Sequence, residues 1–173
     1  MKVTIRRFER ADIPNKVRWI NDPENNKYLH YDLPLEEGKT ELWFEKNKER
    51  QDRYDGIIEM DGKAVGLIGL LSIDLRNKKA EYYVCLGQQD AKGKGVAKKA
   101  SLLLLDYAFT ALQLNKIYLY TERENTAAQA LFERIGFEKE GLLKEDLIYT
   151  GRKVDRFCYG LTKREYQDRT NED

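Results

Sequence analysis

Cysteine, histidine and proline are scarce in this chain, at two, one and three among 173 residues. Cys85 and Cys158 lie far apart in apolar, strand-like segments with no CxxC spacing. That excludes a disulfide framework and suggests no zinc site, so both read as small buried hydrophobes. A surplus of either charge is also missing. Thirty-one Lys and Arg face 30 Asp and Glu, for a net charge of +1. Bulk charge therefore leaves no footprint for nucleic acid. No apolar stretch approaches the roughly 20 residues of a membrane span. The opening MKVTIRRFERADIP has no apolar signal core, which makes the cytoplasm the expected compartment. Few prolines beside 11 Tyr, 6 Phe and 2 Trp exclude a disordered chain. With no repeat and no Gly/Ser/Pro-rich linker, residues 1–173 are expected to form one domain.

What is present is a mixed α and β pattern. Val3, Ile5 and Phe8 fit an opening strand, and Asp12 and Pro14 start a helix carrying Val17, Trp19 and Ile20 up to Asn21-Asp22-Pro23. A second helix is expected from Glu36 or Thr40 to Glu49. Gly56 to Met60 and Ala64 to Ile73 flank Asp61-Gly62, a dipeptide that favours a tight hairpin. Lys79 to Leu86 follows as a strand. The loop GQQDAKGKG then opens a helix from Val96 to Leu112. After it come the strand Lys116 to Thr121, a short helix from Asn125 or Thr126 to Arg134 stopped by Gly136, and two strands, Glu138 to Tyr149 and Val154 to Thr162.

The glycine loop is the informative feature. A strand feeding a Gly-rich turn that opens a helix gathers unpaired N–H groups and the positive end of the helix dipole at one spot, a setting for phosphate. Gly93 and Gly95 let the backbone approach a ligand, Ala97 keeps the first turn small, and Lys92 and Lys94 add charge at the mouth. It is not an NTPase P-loop, because five residues separate Gly87 from Gly93 and Lys94 is followed by Gly95 instead of a hydroxyl residue. The dinucleotide fingerprint fails too, its third glycine position being Lys98. Taken alone, the hexapeptide reads better as a solvated basic turn that happens to contain two glycines.

Lys92 to Ala97, KGKGVA, resembles the acetyl-CoA pyrophosphate loop of the GCN5-related N-acetyltransferases (GNAT). Their pattern is Gln or Arg, two free positions, Gly, one free position, then Gly or Ala, and Lys92 stands where Gln or Arg is usual. Thr121 to Gly141, TERENTAAQALFERIGFEKEG, is similar to the family's second motif, an Asn opening a short helix that ends in Gly-Phe. The start, with Arg6 to Asp12 and WINDP, and the end, with Asp155 and CYGLTKREY, resemble the subgroup that acetylates ribosomal-protein N-termini and includes many small-molecule acetyltransferases. The resemblance implies an α+β fold, a mostly antiparallel twisted sheet of about six to seven strands flanked by about four helices. It also implies an acetyl-CoA-dependent N-acetyltransferase, monomeric or homodimeric, acting on a peptide N-terminus, polyamine, antibiotic or amino sugar. A protein that keeps the CoA site without catalysis is the alternative, and Lys92 and Phe132 speak for it. Nucleic-acid binding through Lys92, Lys94, Lys98 and Lys99 is disfavoured by the neutral chain and its Glu-rich flanks.

Acetyl transfer to an amine needs a polarised thioester carbonyl, a deprotonated amine and a proton for the leaving thiolate, and no metal. The resemblance implies that N–H groups of Lys92, Gly93, Lys94, Gly95, Val96 and Ala97 hold the pyrophosphate. The strand ending at Cys85 and Leu86 would pair with pantetheine, and an N–H near Leu86 or Gly87 would polarise the acetyl carbonyl. Asn125 would bond the cofactor arm, cap its helix, or do both. Glu81 is read as the general base or as a surface glutamate at a strand start. Tyr83, on the same strand face as Glu81 and Cys85, lines the acceptor site or packs in the core. Phe132 takes the place of a tyrosine that in many relatives gives CoA its proton. That leaves Tyr118, Tyr120 and Tyr149 as unplaced candidates. His30 reads first as a free surface residue and only second as a minor candidate base, and a covalent acetyl-Cys85 route lacks any neighbouring group to lower the thiol pKa.

Overall fold

The computed structural model describes residues 1–172. Strand β1 (Val3–Arg7) leads through a 3-10 turn into helices α1 (Ile13–Asn21), α2 (Pro23–Asn26) and α3 (Glu37–Asn47). Strands β2 (Tyr54–Met60), β3 (Lys63–Asp74) and β4 (Lys79–Leu86) precede α4 (Val96–Asp106). The chain continues with β5 (Lys116–Glu122), α5 (Thr126–Ile135), β6 (Glu138–Tyr149), β7 (Arg152–Thr162) and α6 (Lys163–Glu172). The seven strands form one sheet in the order β1-β2-β3-β4-β5-β7-β6. Every pairing is antiparallel except β4 with β5. Those two run parallel because α4 carries the chain back between them, as a parallel pair requires.

The alternation of strand residues decides where the core lies. Ile57 and Leu67 face one side of the sheet, while Ile58 and Ile68 face the other. The larger cluster packs the sheet against α4 and α5 through Leu104, Leu105, Phe132 and Ile135. The smaller one holds α1 and the β1 end against the opposite face through Phe8, Ile13, Trp19 and Ile20. Burying both faces explains why β3 reads as a nearly continuous apolar run.

Most expected elements are present, with three differences. The helix expected over Val96 to Leu112 is α-helical to Asp106 and closes with a wide π turn over Tyr107–Ala111. Asp22-Pro23 ends α1 as expected but also starts α2, its carboxylate accepting from Glu24 N at 3.0 Å. Helix α6 has no counterpart in the sequence reading, since it lacks an apolar stripe. At the tip of the β2–β3 hairpin, Asp61 and Gly62 both have positive φ, 51° and 80°, as a tight two-residue turn demands.

Candidate active site

The sheet opens in its middle. β4 and β5 are paired only from Lys79↔Lys116 to Glu81↔Tyr118, and then the strands part while β5 stays zipped to β7 as far as Glu122. Gly87 N–H donates to Val65 O at 2.8 Å on the β3 side. Antiparallel pairing alternates, so Cys85 and Tyr83 also turn their backbone groups to β3, and Tyr82, Val84 and Leu86 turn theirs into the opening. The same alternation leaves Gly87's N–H occupied and turns Leu86's to the gap. It also corrects the expectation for Cys85, whose backbone belongs to the β3 ladder.

β4 runs directly into the glycine loop. Gly93 and Gly95 sit at φ +75° and +79°, and a Cβ at either would meet nothing within 4 Å, so conformation and not crowding selects glycine there. Gly95 caps α4, and Lys99 N–H makes the first bond back to Gly95 O. Among the described residues, the N–H groups of Gly93, Lys94, Gly95, Val96 and Ala97 have no protein acceptor. The Lys92 side chain departs from expectation. Its ammonium is held by Asn25 Oδ1 at 2.5 Å, so it braces the loop against α2 instead of standing at the mouth. Lys94 is exposed there.

Across the opening, Asn125 starts α5 with its Oδ1 accepting from Ala128 N at 3.2 Å. Its Nδ2 has no partner among the described residues. Phe132 is 8% exposed and packs edge-on to Tyr82, with ring centroids 6.0 Å apart. Both line a cavity of ≈ 620 Å³ that passes through the sheet opening to the α1–α3 side.

Glu81 lines this cavity at the fork of β4 and β5. Burial raises its pKa, with the Arg156 charge opposing. Its carboxylate has no hydrogen bond or ion pair among the described residues, which distinguishes it from the other acids of the wall. Asp55 holds Arg53 through two bonds of 2.7 and 2.9 Å and accepts the Tyr83 hydroxyl at 2.6 Å. Tyr83 is therefore locked, its pKa driven well above the ordinary value by burial and by Asp55. Burial pushes the Cys85 thiol up to about 11, with Lys92 opposing, so Cys85 stays a thiol at neutral pH.

The unplaced tyrosines now separate. Tyr149 donates to Tyr31 O at 2.6 Å, and Tyr118 lies outside the cavity wall. Tyr120 lines the cavity with its hydroxyl free of any described acceptor. His30 is not a free surface residue: its Nε2 lies 2.9 Å from Glu122 Oε2, while Arg152 takes Glu122 Oε1 at 3.2 Å. Glu122 itself is 2% exposed. Tyr28 adds a bond to Glu124 O at 3.2 Å, so the segment after α2 is fastened over the end of β5.

Three site residues escaped the sequence reading. Asn25 donates to Trp19 O and Gly87 O, both at 3.0 Å, and accepts from Gln89 and Lys92, which ties α1, α2 and the loop together. In sequence it stands in a run of polar and amide residues, Asn21 to Asn26, with no local feature that marks this role. Lys16 and Glu122 look like surface residues in sequence, yet both are buried in the cavity wall.

Comparison with known proteins agrees with this geometry. Residues 2–138 match the acetyltransferase (GNAT) domain family. Spermidine N(1)-acetyltransferase of Escherichia coli (strain K12) is 31% identical over 163 residues, covering 90% of this chain and 84% of that protein. The crystal structure of spermidine N-acetyltransferase from Vibrio cholerae, in complex with CoA and spermine, superposes with a TM-score of 0.87 at 29% identity, over 95% of this chain and 98% of that one. A putative ribosomal N-acetyltransferase of Bacillus subtilis (strain 168) is 36% identical, but over 109 residues, 62% of this chain and 58% of that protein. The split sheet, the glycine loop and these full-length similarities lead to one conclusion: the chain belongs to the acetyltransferase (GNAT) family and is an acetyl-CoA-dependent N-acetyltransferase.

Proposed function

We propose that the chain acetylates the primary amine of a small molecule by direct attack on acetyl-CoA seated in the opening between β4 and β5. The observation that carries this reading is the unpaired edge of β4 running straight into a loop of N–H groups without acceptors. The pantetheine arm adds to the Tyr82–Leu86 edge as an extra strand, and the N–H groups from Gly93 to Ala97 take the pyrophosphate at the α4 N-terminus. Leu86 N–H polarises the acetyl carbonyl. Asn125 keeps its capping bond through Oδ1 and offers Nδ2 to the cofactor arm, while Phe132 packs against it.

Glu81 takes the proton of the incoming ammonium, directly or through one water. Its burial raises its proton affinity toward the working pH, which suits a base. The amine nitrogen bonds to the acetyl carbon, the C–S bond breaks, Tyr120 protonates the departing thiolate, and the second proton that the nitrogen sheds on becoming an amide returns through water to the Tyr120 phenolate. In this scheme Tyr83 and Cys85 shape the wall: the hydroxyl of one is committed to Asp55, and the thiol of the other stays protonated. Both cysteines are free thiols, which suits a reducing cytoplasm.

Polyamine acetylation is the second reading, favoured by similarity to the spermidine acetyltransferases over nearly the whole chain. The ribosomal relative aligns over a smaller share, which favours a small-molecule amine over a peptide N-terminus. The test is thiol release from acetyl-CoA against peptides, polyamines, aminoglycosides and amino sugars, with calorimetric CoA binding in parallel. Release with one class of small amine is expected. Release with peptides alone would refute the small-molecule reading, and failure to bind CoA would refute the cofactor site.

A further inference from the structure

Lys16 lies in the second turn of α1 and is 7% exposed, yet its ammonium makes no hydrogen bond or ion pair among the described residues. It sits 3.3 Å from the centre of the Trp43 ring, with the Phe8 and Tyr31 rings at 5.8 and 6.0 Å. All four residues line the large cavity. Burial lowers the Lys16 pKa to about 8, with Asp55 opposing and Arg53 adding to the depression. Aromatic faces return part of the cost of burying a cation, but they do not replace a counter-ion. Asp55, whose oxygens are bonded to Arg53 and Tyr83, makes no ion pair with Lys16 among the described residues.

The other charges of the wall are accounted for in pairs. Glu122 is matched by Arg152 and hydrogen-bonded to His30, Arg156 is matched by Asp146, and Lys39, 74% exposed at the rim, by Glu36 at 3.6 Å. Two buried or half-buried charges remain unmatched inside, and they have opposite signs: Glu81 at the fork of the sheet and Lys16 on α1. A purely cationic acceptor would satisfy the first and be repelled by the second. An acceptor with an ammonium at one end and an anion at the other satisfies both.

Resting on the assignment of this cavity as the acceptor site, we infer that the acceptor is an amine that also carries a carboxylate or phosphate, with its anionic group bound by the Lys16 ammonium beside Trp43. Lys16 then acts as a specificity-determining residue: it chooses the acceptor, while Glu81 and the β4 edge serve the transfer itself. The geometry also gives Trp43 a purpose beyond packing, as it holds the ammonium in place before the anion arrives.

The experiment uses matched amines that differ in the distal group: 5-aminopentanoate against 1,5-diaminopentane, O-phosphoethanolamine against ethanolamine, and glucosamine 6-phosphate against glucosamine. Spermidine is included as the polycationic reference. Thiol release is measured with the wild-type chain, Lys16→Met and Lys16→Arg. In the wild type, at least one anionic amine should exceed its partner in kcat/KM by about tenfold or more, as a charge-assisted contact predicts. The carboxylate and phosphate pairs tell which anion is meant. Lys16→Met should bring that ratio close to one through KM, and Lys16→Arg should keep most of it. A structural role for Lys16 would lower both members of a pair alike and leave the ratio intact, which would overturn the inference. A wild type that prefers spermidine or diaminopentane, or that binds CoA and uses no anionic amine, overturns it as well. Loss of CoA binding altogether would instead bring down the cofactor-site reading on which it rests.

Discussion

Replacing Glu81 by Gln tests the chemistry with little disturbance to the fold. The side chain keeps its size, and its carboxylate has no protein partner among the described residues, so the substitution breaks no hydrogen bond or ion pair. What it removes is the proton acceptor. General base catalysis contributes about 10²- to 10⁴-fold, which is about 3–5 kcal/mol of barrier, and kcat should fall by that amount. Stability should move the other way. Burial raises the folded-state pKa of Glu81, so its contribution to stability is fully present at low pH and is lost as pH rises through that raised value. Once ionised, the wild-type carboxylate is half-buried and unpaired, and Gln relieves it. The variant should therefore melt at the same or a higher temperature than wild type while turning over far more slowly. The assays are thiol release across pH, CoA binding by calorimetry and thermal melting. In the wild type, kcat/KM should climb with pH as Glu81 loses its proton, and the variant should lack that limb. A loss smaller than tenfold, or an acid limb unchanged in the variant, would refute the assignment of Glu81 as base. Loss of activity together with a large fall in melting temperature would refute the account of its surroundings.

The remaining predictions concern the loop, the thiol and the α1 contact. Gly95→Glu places a negative charge against the pyrophosphate site and forces φ +79° on a side chain, a strain of about 1–2 kcal/mol. Gly95→Ala carries the strain without the charge, so CoA affinity measured by calorimetry should fall about tenfold further for Glu than for Ala. Equal losses would show that strain alone is at work. Cys85→Ala should retain turnover, and intact mass spectrometry of wild type with acetyl-CoA should find no acetylated Cys85, since burial holds the thiol near 11. An acetyl adduct there would establish the covalent route instead. A Cβ on Gly87 would lie 2.1, 2.3 and 2.5 Å from three atoms of the Trp19 indole, which is 2% exposed. Gly87→Ala should therefore cost at least the roughly 1–3 kcal/mol typical of overpacking, read as a lower denaturant midpoint. An unchanged midpoint would mean that Trp19 has room to move.

The elements that sequence revealed are those whose residues must satisfy a local rule. Asp61-Gly62 marks its hairpin because both positions need positive φ, and Gly93 and Gly95 mark the loop for the same reason. Asn125 marks the start of α5 because its side chain caps a free N–H. The apolar runs of β3 and α4 could be read because burial on that scale leaves a composition. Helix α6 left none, as its contact with the core rests largely on Tyr166 against Phe109, with ring centroids 5.1 Å apart.

The sequence by itself determined the mixed fold, the glycine loop with its helix, and the order of the two central motifs, because each depends on neighbours a few residues away. Tertiary structure alone decided the rest. Which N–H faces the opening follows from the register of β3 on β4, where one bond, Gly87 to Val65, fixes the direction of all its neighbours. Lys92 turns from the mouth of the loop to Asn25 across 67 residues of chain. Glu122 and His30 meet across 92. Lys16 becomes a buried, unmatched charge only because α1, α3 and β2 close around it, and charge pairing over such distances leaves no local trace in a sequence.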